Sequence, residues 1–395
     1  MPRIPLRWVA ICVFLFSSAL NYLDRQLLAA VAPTLKGEFH LSNQDYGEIV
    51  SVFSILYALV APLAGWFIDR VGLNLGASVA VLAWSVAGAS TALARGIRDV
   101  FASRTMLGIA EAAGIPCFGK ANGIYLEPRE LALGTAFNQI GISLGLTAAP
   151  LLAAALAPRY GWRATFAFAG TLGLLWVPLW LFTARKIPAH PSKSAKSPLP
   201  LKRMLRDRRL WGLVVSTLFL MSLYTLWTNW TTLYFVEQWH LSQQQANASY
   251  AWIPPVVGTV GGFFGGWLAF RWIRGGTDVL VARLRVCWLC AAAVLASTAI
   301  IPLMPGAGWA AVAVSLSLFW AVSITTNLYA LPIDLFGPGR AALGVAALTS
   351  AYGLLQVPLS VAIGGMVDRA GFDAVCLSMC ALPLAGVALL RTVIR

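Results

Sequence analysis

Trp8–Val31 reads WVAICVFLFSSALNYLDRQLLAAV, an apolar run broken by one charged cluster, Asn21-Tyr22-Leu23-Asp24-Arg25. As a helix it would be about 36 Å long at 1.5 Å per residue, enough to cross the ~30 Å hydrocarbon core of a bilayer. A carboxylate and a guanidinium inside such a span cost ~2.5–3.5 kcal/mol each on insertion scales. They are tolerated where they face a water-filled cavity or an opposite charge. The rest of the chain is therefore expected to build that cavity and supply those partners. The run is too long for a secretory leader and has no small-residue cleavage site, so a permanent span is expected.

Working outward, the composition fits. Of 395 residues, 59% are hydrophobic and 11% charged, against about 25% charged in a soluble domain. The expectation is an all-α integral membrane protein. Twelve apolar runs are long enough to span, at about 8–31, 46–68, 73–94, 100–122, 131–156, 163–184, 210–236, 247–270, 281–302, 307–331, 341–367 and 372–394. The formal charge of +14 follows from topology, not nucleic-acid binding. Threading the runs puts 21 of the 29 Lys and Arg on the side of the N-terminus and six opposite, with Arg25 and Arg104 inside. By the positive-inside rule both termini are expected in the cytoplasm. Six cysteines and three histidines offer neither a disulfide framework nor a metal set: Cys287, Cys290, Cys376 and Cys380 sit within apolar runs with no histidine near them and read as small packing residues.

Residues 185–209, RKIPAHPSKSAKSPLPLKRMLRDRR, hold nine Lys/Arg and four Pro. They divide the chain into a six-helix half at 1–184, a basic cytoplasmic linker suited to the anionic leaflet, and a second half at 210–395. The halves share a pattern. Phe39-His40-Leu41-Ser42-Asn43-Gln44 recurs as Trp239-His240-Leu241-Ser242-Gln243-Gln244, Gly65-Trp66 as Gly266-Trp267, and Ala132-Leu133-Gly134 as Ala342-Leu343-Gly344. Duplicated halves with a binding site between them are a transporter architecture.

Gly65-Trp66-Phe67-Ile68-Asp69-Arg70-Val71-Gly72 resembles the G-x-x-x-D-R-x-G loop signature of the major facilitator superfamily, although Asn74-Leu75 replaces the usual basic pair. The resemblance implies that fold, and a gating role for Asp69 and Arg70 when the cytoplasmic side closes. Asn21-Tyr22-Leu23-Asp24-Arg25, Arg104-x6-Glu111-Ala112 with Pro116, Lys120 and Pro128, and Tyr160-Gly161-Trp162-Arg163 together look like the anion:cation symporter family. That family includes bacterial hexuronate and galactonate proton symporters, sialin and the vesicular glutamate transporters. Ile124-Tyr125 departs from its usual Trp-Phe pair. The resemblance implies a proton-coupled carrier of a small organic anion in a bacterial-type inner membrane, acting as a monomer without a cofactor other than protons.

The buried charges carry the chemistry. Arg104 and Glu111 share a helix face, about 10 Å apart along the axis. The first run heads outward and the fourth inward, which brings Asp24, Arg25 and Arg104 to similar depth, with Glu111 nearer the midplane. Burial favours a neutral carboxyl and a neighbouring guanidinium favours a charged one. Protonation of Asp24 or Glu111 can thus respond to a substrate anion competing for Arg25 or Arg104, whose planar forks suit a carboxylate. Two static salt bridges are the rival reading. Lys120, nine residues past Glu111, falls on the opposite face of a continuous helix and reads as an interfacial lysine.

In the second half, Tyr224-Thr225 stand where Asp24-Arg25 stand in the first. Tyr224, Trp227, Asn229, Trp320, Asn327, Tyr352 and Gln356 supply neutral hydrogen-bonding and stacking groups for a sugar-like body, and each also reads as a packing residue. Tyr22 and Gln139 join them as binding candidates. No nucleophile–base pair or metal cluster lies within the apolar runs, so an enzyme is not expected. Other cargoes stay open: Spinster-type lipid transporters share the N-Y-x-D-R and R-x6-E patterns, so a lysolipid, a monocarboxylate or an efflux substrate competes with a sugar acid.

Overall fold

In the computed structural model, the described residues are 6–127, 130–187 and 204–394, with side chains at 132 and 338–342 also left aside. They are helical nearly throughout, as the apolar runs require: in hydrocarbon every backbone N–H and C=O must be satisfied internally. The helices are α1 (Leu6–Phe39), α2 (Asn43–Val71), α3 (Leu73–Ser90), α4 (Ile97–Glu111), α5 (Gly114–Tyr125), α6 (Leu131–Tyr160) and α7 (Trp162–Lys186). There follow α8 (Arg208–Leu220), α9 (Ser222–Asn229), α10 (Thr231–Trp239), α11 (Gln243–Ala246), α12 (Ile253–Arg274), α13 (Val279–Ala299), α14 (Ala307–Phe336), α15 (Pro338–Met379) and α16 (Leu382–Ile394). All twelve runs are occupied by helix. Among the described residues nine helices, or up to ten counting the bent α8–α9 pair, are long and apolar enough to cross a membrane.

The difference lies in interruptions. A turn at Ala112–Ala113 divides the fourth run into α4 and α5, and Met221 and Trp230 divide the seventh. A π-helical turn over Asn247–Ala251 separates α11 from α12. Gly371, at φ 74° and ψ 178°, breaks α15 in two, a conformation open to glycine because it lacks a Cβ.

The chain forms two compact units. The first holds Met1–Leu41, Glu48–Ser194 and Ser242–Ala248; the second holds Ser42–Gly47, Ala195–Leu241 and Ser249–Arg395. Each follows one sequence half with one exception. The first turn of α2 belongs to the second unit, and the start of the eighth run belongs to the first. Most of the expected linker, residues 188–203, lies outside the described residues.

In the first unit α1 packs along α6 at backbone contact: a Cβ on Gly141 or Gly145 would collide with the carbonyl oxygens of Leu15 and Ala19. Small residues permit this approach. The other side of α1 meets α7, where the Trp176 indole donates to Val13 O at 2.7 Å and Trp180 stands edge-on to Phe14 at 4.6 Å. The unit also seats residues 242–248, with Asn247 Nδ2 donating to Ala30 O at 2.7 Å and Gln243 Oε1 accepting from Thr34.

In the second unit α12 and α14 approach in the same manner, Gly261 against Phe319 and Gly265 against Ser323. Ser323 Oγ donates to Gly261 O at 2.6 Å across that contact.

Candidate functional site

The centre of the first unit is Arg25 on α1. Its Nε and Nη2 donate to one oxygen of Glu111, Oε2, at 3.3 and 3.1 Å. Its guanidinium carbon lies 4.6, 4.7 and 4.8 Å from the ring centroids of Tyr22, Phe53 and Tyr57. Three rings around one guanidinium hold it by cation–π attraction, ~0.5–2 kcal/mol per contact, and fix its plane. The Arg25 side chain keeps 22% of its exposure, while Glu111 has none. The arginine thus carries the accessible edge of the pair and the acid its buried edge.

Asp24, one residue back, points elsewhere. It is buried against α3, its carboxyl beside Gly88. Neither oxygen has a hydrogen-bond donor, nor has Glu111 Oε1, and the nearby Asn21 Nδ2 has no acceptor. An ionised carboxylate so placed would lack compensation; the usual remedy is a proton or a partner charge. Arg104 on α4 is the near cation, but its Nη1 reaches the main-chain oxygen of Asp24, at 3.5 Å, rather than the carboxylate. It also lies 5.5 Å from the Phe166 ring centroid. Asp24, Arg25, Arg104 and Glu111 therefore gather in one cluster, in which Arg25 and Glu111 are ion-paired at 3.1 Å. Phe53 and Tyr57 are participants the sequence did not flag: they stand i, i+4 on α2, in a run where aromatic spacing is indistinguishable from ordinary packing.

Asp69 and Arg70 sit at the C-terminal end of α2. Asp69 is exposed and pairs with Lys120 Nζ at 3.1 Å, and the same ammonium donates to Ile68 O at 2.8 Å. Lys120, expected as an interfacial lysine, thus meets the C-terminal end of α2. Arg70 lies over Trp66 at 5.6 Å. The Tyr160–Arg163 motif ties α7 to α1: the Trp162 indole and Arg163 both bond Glu38, at 2.6 and 2.8 Å. Gln139 is exposed on α6, and its neighbour Asn138 accepts from Ser18 Oγ at 2.7 Å.

The second unit distributes its candidates differently. Tyr224, Tyr352 and Gln356 form a cluster: Gln356 Nε2 donates to Tyr352 Oη at 2.7 Å, and the Tyr224 and Tyr352 rings meet edge-on at 6.1 Å. Trp320 stacks edge-on with Phe264 and Phe319. Trp227 and Asn327 are fully buried with their donors spent, Trp227 on Ser317 Oγ at 3.0 Å and Asn327 on Gly265 O and Ser323 O, both at 3.1 Å. Asn229 donates back to Thr225 O at 3.0 Å, and its own carbonyl accepts from Tyr46 Oη at 2.7 Å. Trp227 and Asn327 thus spend these donors within the unit, while Asn229 stays half-buried. Among the described residues no group of His, Cys, Asp and Glu could hold a metal ion.

Residues 14–357 match the model of the Major Facilitator Superfamily. The chain is 25% identical to a hexuronate transporter of Escherichia coli K12, over 99% of this chain and 94% of that one. It is 27% identical to a galacturonate transporter of Dickeya chrysanthemi over 67% and 81% of the two chains, and 24% identical to a D-galactonate transporter of Escherichia coli O6:H1 over 70% of each. A bacterial homologue of the human lysosomal transporter Spinster shares the fold at a TM-score of 0.78 and 19% identity, covering 99% of this chain and 95% of that one. With the family model spanning most of the sequence and an all-helical membrane fold beneath it, the chain belongs to the major facilitator superfamily and is a transporter, not an enzyme.

Proposed function

We propose that this chain is a proton-coupled symporter of a small organic anion, a sugar acid of the hexuronate or aldonate class, working by alternating access in a bacterial-type cytoplasmic membrane with both termini inside. The observation that carries the reading is Arg25, a guanidinium fixed by three rings, partly accessible, and tied on its other edge to a fully buried carboxylate. A substrate carboxylate that takes Arg25 competes with Glu111 for the same donors. Once displaced, Glu111 is a buried acid without a partner, and binding a proton removes its charge. Anion and proton then enter together or not at all. Asp24, buried without a donor, is the second proton carrier, and Arg104 holds the α1 backbone beside it. Tyr22, 4.6 Å from the Arg25 guanidinium, lines the approach to it. Asp69 and Arg70 act as a gate through Lys120. The names of the relatives support the sugar-acid class.

The direct test is uptake by proteoliposomes of D-galacturonate, D-galactonate and a short monocarboxylate, with and without an inward proton gradient. Accumulation of a sugar acid that requires the gradient supports the reading. Gradient-independent uptake, or lysolipid movement with no anion uptake, overturns it.

A further inference from the structure

The signature Gly65-x-x-x-Asp69-Arg70-x-Gly72 has a second copy that the repeat pattern does not reveal. Gly364-Gly365-Met366-Val367-Asp368-Arg369-Ala370-Gly371 has the same G-x-x-x-D-R-x-G spacing. The backbone repeats as well: Gly72 has φ 86° and ψ 164°, and Gly371 has φ 74° and ψ 178°. The two aspartates attend opposite ends of one helix. Asp69 lies in the last turn of α2, whereas Asp368 meets its first residues inside the second unit.

The contact at Asp368 is specific. Its Oδ1 accepts the backbone N–H of Asn43 at 3.0 Å and its Oδ2 that of Gln44 at 2.9 Å. The next amide, Asp45 N–H, goes to Ser42 Oγ at 3.0 Å, and Asp45 Oδ2 accepts from Ser42 N–H at 2.8 Å. So α2 has a local capping box, and Asp368 satisfies the two amides ahead of it. A carboxylate on two amides of a helix N-terminus combines charge-assisted hydrogen bonds with attraction to the positive end of the helix dipole. Small residues let the turn sit close: a Cβ on Gly364 would strike Asn43 O, and one on Gly47 would strike Ser360 O. Asn43 Nδ2 adds a bond to Glu237 Oε2 at 3.0 Å.

We propose that Asp368 is a positioning residue for transport, a latch that holds the first turn of α2 on α15 and releases it once per cycle. The helix it holds carries Phe53 and Tyr57, which frame Arg25. Ser42, Gln44 and Asp368 are exposed and Asp45 half-buried, so the polar rim of the contact borders water, unlike the buried Gly141 and Gly145 seam, while Tyr46 and Gly47 pack beneath it.

The proposal rests on the carrier reading above, and its test has one arm that needs no substrate. Amide hydrogen exchange is followed in the full chain in nanodiscs over residues 42–47, with residues 141–145 as the internal reference. Asp368→Asn, which keeps one acceptor and turns an amide donor towards the helix, should exchange at least about tenfold faster at 42–47 with the reference unchanged. Asp368→Glu should recover most of the protection. In the second arm a Gln44→Cys/Asp368→Cys chain is oxidised and the disulfide verified by mass spectrometry; sugar-acid uptake should stop and return on reduction. Unchanged exchange at 42–47 in Asp368→Asn, an equal rise at 141–145, or uptake that persists through the disulfide would each overturn the latch. If the unsubstituted chain moves no sugar acid, the proposed function fails while the exchange arm still decides on Asp368.

Discussion

Glu111→Gln separates the two consequences of the Arg25–Glu111 pair. The amide keeps the size and one acceptor of the carboxyl but removes its charge and its capacity to take a proton. In the native pair two guanidinium N–H groups converge on Oε2. A hydrogen bond to a charged group contributes about 1.5–3 kcal/mol and a neutral one about 0.5–1.5. Counting only the shorter of the two bonds, at 3.1 Å, the substitution weakens the hold on Arg25 by about 1–1.5 kcal/mol, which corresponds to roughly tenfold in an equilibrium constant. A substrate carboxylate no longer competes with a carboxylate for those donors, so its affinity should rise about tenfold at neutral pH. Gradient-driven accumulation should disappear, because the group that carries the proton with the substrate is gone, while substrate exchange across the membrane should persist. In the native protein anion affinity should rise as Glu111 takes up its proton on acidification; in the variant that dependence should flatten. Calorimetric titration of D-galacturonate across pH, with proteoliposome uptake and counterflow, measures all three. Accumulation that survives in Glu111→Gln, or an affinity that does not move, would refute the competition mechanism.

Asp24→Asn should fold with stability equal to or above the parent, since it replaces a donorless buried carboxyl with a neutral isostere; thermal unfolding in detergent checks this, and proton-driven uptake should fall while counterflow remains. Gly145→Leu drives a side chain into the Ala19 carbonyl and the Tyr22 side chain and should destabilise the first unit by about 1–3 kcal/mol, in the range for overpacking; an unchanged unfolding midpoint would contradict the α1–α6 packing. At the far end of that seam, the Glu127 backbone N–H and the Arg7 guanidinium hold Glu130's carboxyl below its ordinary range. A depressed value means that the stabilisation is present above the ordinary carboxylate range and is lost as pH falls through the lowered one. The difference in unfolding midpoint between the native chain and Glu130→Gln should therefore shrink on acidification below about pH 4, and a constant difference would argue against the ion pair.

The spans were legible because hydrocarbon imposes a length and polarity that few soluble sequences imitate. Where helices break was not. Glu111-Ala112-Ala113-Gly114 contains two of the best helix formers, and nothing local announces the turn there; nor does the sequence show that Lys120 pairs with Asp69. The buried charges were legible as a group because each is costly alone. Their pairing was not, since helix phase and depth bring Arg104 near Asp24 without fixing whether it meets carboxylate or backbone. Phe53 and Tyr57 escaped notice for the converse reason: aromatics in a membrane helix cost nothing and signal nothing. In the second half, polar residues within apolar runs were visible, but their donors go equally well to Ser317 or Gly265 as to a ligand, and only packing decides.

The exchanged first turns bear on how the protein is made. The first unit is complete only with residues 242–248 in place, Asn247 bonded to Ala30 and Gln243 to Thr34. When the ribosome has released the first six helices, that seat exists without its occupant, and it waits for the seventh run to be threaded before it fills. The second unit, conversely, takes in residues 42–47, made long before. Neither unit reaches its final form from its own half of the message. Severing the chain at the basic linker should therefore yield two fragments that mature together and not apart.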